Sequence, residues 1–178
     1  MGDFLIAFLK TLLYTLILGT VLFFIGESLP RKWFHAEKFP FRPYRWEKDG
    51  KLYDKVRIKK WKDRAPDMSK IRKKMVPKRL GIAPTSARVY RLVQETCVAE
   101  FVHVVLIFCG FFMLFFWRGH LLTGFILTLL YTLGNLVFVI IQRYNRPMLL
   151  SLAKRLEKRE ERQQHAQNNL PESPDSLG

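Results

Sequence analysis

The chain has 178 residues, enough for one domain, is 49% apolar and carries a formal net charge of +15. The apolar residues gather in three runs separated by long charged stretches, which excludes an ordinary water-soluble globule and predicts a membrane protein. Of the 30 lysines and arginines, 21 lie between Arg31 and Arg91 and 7 follow Ile141; both clusters adjoin apolar runs, so the charge reads as positive-inside bias and attraction to anionic head groups rather than as nucleic-acid binding.

In chain order, the first run, Phe4 to Ile25, is long enough to cross a bilayer of about 30 Å and predicts a transmembrane helix within 1–26. Its N-terminal flank carries Asp3 rather than a positive charge, and Glu27, Pro30 and Arg31 follow instead of a small-residue cleavage site. The expectation is a retained anchor, not a removed signal peptide.

Residues 27–97 form a basic loop interleaved with aromatics such as Trp33, Phe41, Tyr44, Trp46 and Trp61. Prolines at 30, 40, 43, 66, 77 and 84 forbid one long helix. The alternation from Leu52 to Ile58 predicts a short strand, and Met68–Leu80 and Thr85–Glu95 predict short basic helices. Tryptophan, tyrosine and lysine together suit either a loop lying on the membrane interface or a small cap over the spans.

The second and third spans are expected at 98–117 and 121–142, joined only by Trp117 to His120, so they form an antiparallel hairpin. The turn has one arginine while both opposite ends are heavily basic, which puts loop 27–97 and the C-terminus in the cytoplasm and the N-terminus outside. Residues 143–167 predict an amphipathic segment along the inner leaflet, with Leu149, Leu152 and Leu156 on one face, and 168–178 a disordered tail. The fold class is therefore an all-α membrane protein: a single span plus a helical hairpin, with a cytoplasmic loop that has room for short helices or strands.

Cys97 and Cys109 would lie roughly 18 Å apart on one helix, too far to bridge, and no metal site is expected. Polar groups within spans carry more information. Glu100 and His103, three apart, share a helical face; they read either as a carboxylate-oriented general base or as a structural polar pair. Arg143 and Arg146 suit phosphates of a coenzyme or head group, and equally a helix C-terminus. Asn145 reads as an oxyanion donor or a cap, and Asn135, two turns deeper, as a helix-packing amide. Glu27, Glu100, His103, Arg143, Asn145 and Arg146 all fall at the inner boundary of the bilayer under this topology. There is no H-x4-D signature, G-x-S-x-G elbow, P-loop or G-x-G-x-x-G.

From Glu27 to Leu150 the chain resembles the glycosyl-4,4'-diaponeurosporenoate acyltransferases, the membrane enzymes that finish staphyloxanthin-type carotenoid synthesis. The resemblance rests on Leu29-Pro30-Arg31-Lys32-Trp33-Phe34, on Trp46-Glu47 with Gly50-Lys51, on Val56-Arg57-Ile58-Lys59-Lys60-Trp61-Lys62, on Ala99-Glu100 with His103, and above all on Asn135 followed by Gln142-Arg143-Tyr144-Asn145-Arg146-Pro147. It implies a bacterial cell-membrane enzyme that moves a fatty acyl group from a thioester, acyl-CoA or acyl-carrier protein, to the glucose C6 hydroxyl of a glycosylated carotenoid or other glycolipid, with no bound cofactor. On that reading His103, oriented by Glu100, is the base and Asn145 stabilises the oxyanion. Arg143, Arg146 and the Lys59, Lys60 and Lys62 cluster hold donor phosphates, Trp61 or Trp46 stacks on sugar or base, and Asn135 lines the site. The expected partners are the lipid-linked sugar, the acyl thioester and anionic membrane lipids, not nucleic acid. The rival class is a non-enzymatic membrane adaptor that binds lipids or a protein through the basic loop.

Overall fold

The computed structural model describes residues 2–55, 57–61 and 85–168. Helix α1, Gly2–Ser28, is apolar along its length, with Asp3 in its first turn. Its threonine hydroxyls are satisfied within the helix: Thr11, Thr15 and Thr20 each bond the carbonyl four residues back. The helix stops ahead of Pro30, which disfavours helical geometry in the preceding residue. Arg31 then turns back and caps the helix end, donating from Nη1 to the Gly26, Glu27 and Leu29 carbonyls at 2.7, 3.0 and 2.7 Å. Its remaining edge grips both oxygens of Glu95 at 3.0 Å.

Two short helices follow, α2 (Lys51–Asp54) and α3 (Ile58–Trp61). The expected strand from Leu52 to Ile58 is therefore replaced by helical turns. The reason is a shared burial face. Tyr53 and Ile58 pack in one cluster with Ile141 and Tyr144, whereas an odd separation of five would send them to opposite faces of a strand.

Helix α4, Ser86–Gly110, tightens into a 3-10 stretch over Phe111–Trp117. Helix α5, Leu121–Asn168, packs antiparallel along it. The segment Thr85–Glu95 is not a separate helix: it is the first part of α4, begun by the N-cap Thr85. Nor does Pro147 divide the third span from the amphipathic segment after it. Both belong to one 48-residue helix, with Pro147 inside. At about 1.5 Å per residue, α5 is about 72 Å long, more than twice the apolar thickness of a bilayer.

Helices α1, α4 with its 3-10 extension, and α5 are each long and apolar enough to cross a membrane, and there are no strands among the described residues. Most of their large apolar side chains face outward, as lipid contact requires. At the hairpin end, Trp117 is 1% exposed and donates from Nε1 to Thr11 Oγ1 at 2.8 Å. Gly124 permits this closeness, because a Cβ there would overlap the Trp117 side chain. The expected helix at Met68–Leu80 and most of the tail lie outside the described residues.

Candidate functional site

The described part of the basic loop, up to Trp61, is a packed roof. Phe34 and Ala36 bury against Val93, Cys97 and Val98 of α4, with Phe41 and Leu149 alongside. The Tyr53–Ile58 cluster grips α5 on another side. Between these apolar anchors lies a closed set of charges.

Glu100 of α4, 6% exposed, accepts from Arg143 Nη1 at 2.6 Å on one oxygen and from Arg146 Nη2 at 2.5 Å on the other. Arg143 also donates from Nε and Nη2 to the two oxygens of Glu47, at 2.5 and 3.1 Å. Glu47 in turn accepts from Tyr53 Oη at 2.5 Å and the Tyr44 amide at 2.8 Å. Arg146, 2% exposed, completes its bonding on Thr96 Oγ1, the Thr96 carbonyl and the Phe41 carbonyl. Its guanidinium lies 5.6 Å from the Phe41 ring centre, and that of Arg143 4.6 Å from Tyr44. Two arginines and two glutamates leave the network neutral, and its many hydrogen bonds offset the cost of burying four charges.

Burial pushes the Glu47 carboxyl up, but hydrogen bonds from Arg143, Tyr53 and the Tyr44 amide outweigh it and hold the group below the usual carboxylate range. Burial, followed by the bond to Glu47, pushes the Tyr53 phenol well above its ordinary value.

The expected pairing of Glu100 with His103 is therefore not what the fold builds. Both Glu100 oxygens face guanidiniums from α5, which the i, i+3 spacing on α4 could not reveal. His103 is instead oriented by Asn135, whose Oδ1 lies 2.9 Å from Nδ1 across the helix interface. Asn135 Nδ2 donates to the Tyr131 carbonyl at 2.9 Å, which fixes the amide so that its oxygen faces the imidazole. Nδ1 must then donate, so that in a neutral ring the lone pair sits on Nε2. The ring stacks on Phe138, with centroids 4.6 Å apart and planes 5° apart. An imidazole held in one tautomer by an amide, half-buried one helical turn beyond Glu100, has the arrangement of a general base.

The other expected site residues are dispersed. Arg143 and Arg146 are engaged with carboxylates and carbonyls, so their guanidiniums serve the roof and not donor phosphates. Asn145 is ten positions beyond Asn135 on α5, about 15 Å along the axis, too far to serve an oxyanion beside His103. Lys60 is exposed. Lys62 and the side chain of Trp61 lie outside the described residues. Glu47, Tyr53 and Thr96 also belong to the site, which their one-dimensional pattern does not reveal. The available signal was an acid beside an aromatic, Trp46-Glu47, in a loop otherwise crowded with cations. Among the described residues, no three His, Cys, Asp or Glu side chains come together as a metal site.

Residues 30–155 match the family model described as glycosyl-4,4'-diaponeurosporenoate acyltransferase. Two proteins of that name, from Staphylococcus aureus strains bovine RF122 / ET3-1 and N315, are each 28% identical to this chain over 151 residues, covering 84% of it and 90% of their own length. No solved structure matches.

Proposed function

The chain belongs to the glycosyl-4,4'-diaponeurosporenoate acyltransferase family, and on that premise we propose that it moves a fatty acyl group from a thioester to the glucose C6 hydroxyl of a glycosylated carotenoid or closely similar glycolipid. The observation that carries the catalytic part is the His103–Asn135 pair, an imidazole oriented by an amide across the α4–α5 interface.

His103 Nε2 takes the proton of the sugar hydroxyl as its oxygen attacks the thioester carbonyl. Asn135 holds the ring and faces the imidazolium with its amide oxygen. When the tetrahedral intermediate collapses, the C–S bond breaks and the departing thiolate receives the proton from His103. The products are an ester and a free thiol, and atoms and charge balance.

The roof contributes position. Glu47 on Arg143 and the Phe41 carbonyl on Arg146 tie the loop to the side of the α4–α5 pair at the level where Glu100 joins the two helices. The apolar outer faces of the spans suit a fatty chain and a long polyene tail. The distribution of lysine and arginine supports a cytoplasmic roof and C-terminus.

The test is product analysis. Purified protein in lipid nanodiscs, given a glucosylated carotenoid and a fatty acyl thioester, yields one glucose ester, located at C6 by mass spectrometry and NMR. Absence of any ester, with both free thiol and acceptor unchanged, defeats the reading.

A further inference from the structure

Helix α5 does not stop at the membrane, and its outer part carries a surface that catalysis does not use. Helix α4 has no proline between Ser86 and Gly110 and stays paired with α5 as far as Glu160, which accepts from the Ser86 amide and hydroxyl at 2.8 and 2.5 Å. Ser86 lies fourteen positions before Glu100, about 21 Å along the helix. The two helices thus continue as a paired stalk away from the level of the charged network, rather than one segment lying flat on the leaflet.

On the side of α5 turned away from α4, Met148, Leu152, Arg155, Arg159 and Arg162 recur at intervals of four and three residues and form one stripe, flanked by Lys158. All six are exposed. Acids are kept off it. Glu157 and Glu160 are drawn to the α4 side by Tyr90 and Ser86, and Glu161 falls away from the stripe at helical spacing. Among the described residues, none of the four cations is in an ion pair.

A nucleotide needs donors that converge in a concave site. Here the cations are strung along about 10 Å of convex helix, with an apolar patch at the membrane end. That pattern fits an acidic protein surface. We infer that the stripe from Met148 to Arg162 docks an acidic acyl carrier protein, and that this chain draws its acyl group from that carrier; the second half rests on the acyl-transfer reading above. The apolar end of the stripe, Met148 and Leu152, lies toward the spans.

The experiment uses full-length protein in zwitterionic nanodiscs, a bacterial acyl carrier protein loaded with palmitate, and palmitoyl-CoA. Wild type binds the carrier with an affinity that falls as salt rises. The variant R155E/R159E/R162E binds at least tenfold more weakly. In turnover, its KM for the loaded carrier rises at least tenfold, while kcat and all constants for palmitoyl-CoA stay unchanged. Equal carrier binding by wild type and variant overturns the docking surface, as does an equal loss with both donors. A variant defect seen only in anionic nanodiscs assigns the stripe to lipid head groups and also overturns it. If neither donor is used by wild type, the function reading fails, while the binding comparison still decides the docking.

Discussion

His103 Nδ1 lies 2.9 Å from Asn135 Oδ1, and this contact joins α4 to α5 inside the apolar part of the bundle. Asn135 touches only the ring nitrogen remote from the proposed reacting lone pair, so it acts by positioning. Asn135→Ala is expected to lower kcat by about 10–100-fold, the usual effect of losing an orienting partner, while KM for both substrates changes little. Steady-state kinetics in nanodiscs checks this; a rise in KM at constant kcat would assign Asn135 to substrate binding.

The Glu100 carboxylate separates two guanidiniums. Removing it leaves Arg143 with Glu47 and the buried Arg146 with no carboxylate. Glu100→Ala should cost about 3–5 kcal/mol, read as a lowered midpoint in detergent unfolding. Pairing Glu100→Leu with Arg146→Met should recover much of the loss, since a neutral apolar pair of similar volume has no charge to desolvate. Equal instability of the single and double variants would contradict the account of the network.

The roof should respond to acid with a definite sign. Glu47 sits below the usual carboxylate range in the folded protein. Between its folded and unfolded values the unfolded chain binds more protons, so its contribution is complete above about pH 4.3, the ordinary glutamate value, and is lost as pH falls through the lower folded value. Hydrogen exchange at residues 41–55 should be constant from pH 7 to 5, after correction for intrinsic rates, and accelerate below 4. Glu47→Gln should show the faster exchange throughout and lose that acid step.

Orientation is open to direct labelling. Lys60, Arg118 and Arg155 are all exposed. Cysteine at 60 or 155 should react with an impermeant maleimide in inside-out vesicles and stay protected in intact cells, and cysteine at 118 should do the reverse. Labelling of 60 and 155 from opposite sides would separate the roof from the stalk and end the proposed arrangement.

Hydropathy made the three spans legible, and the four-residue link from Trp117 to His120 made the hairpin legible, because both depend on one-dimensional pattern. Pro147 misled, since a missing N–H costs one helical bond while the face of α5 packed on α4 continues past it to Ala153 and Glu160. The Leu52–Ile58 alternation misled for a related reason: the surface of α5, not the local period, decides where Tyr53 and Ile58 point. At the site, Glu100, His103, Asn135, Arg143 and Arg146 were all picked out as polar groups in apolar surroundings. How they pair was not legible, because spacing along one helix carries no information about which side chain arrives from another. Glu47 was hidden most completely, reaching Arg143 from 96 positions away.

The most direct measurement is the rate of acyl transfer by His103→Ala in nanodiscs, with wild type beside it and folding checked by an unchanged elution profile. The account predicts that kcat falls by about 100-fold or more, the contribution of a positioned general base, with the acceptor still bound. Transfer at the wild-type rate by that variant would contradict it.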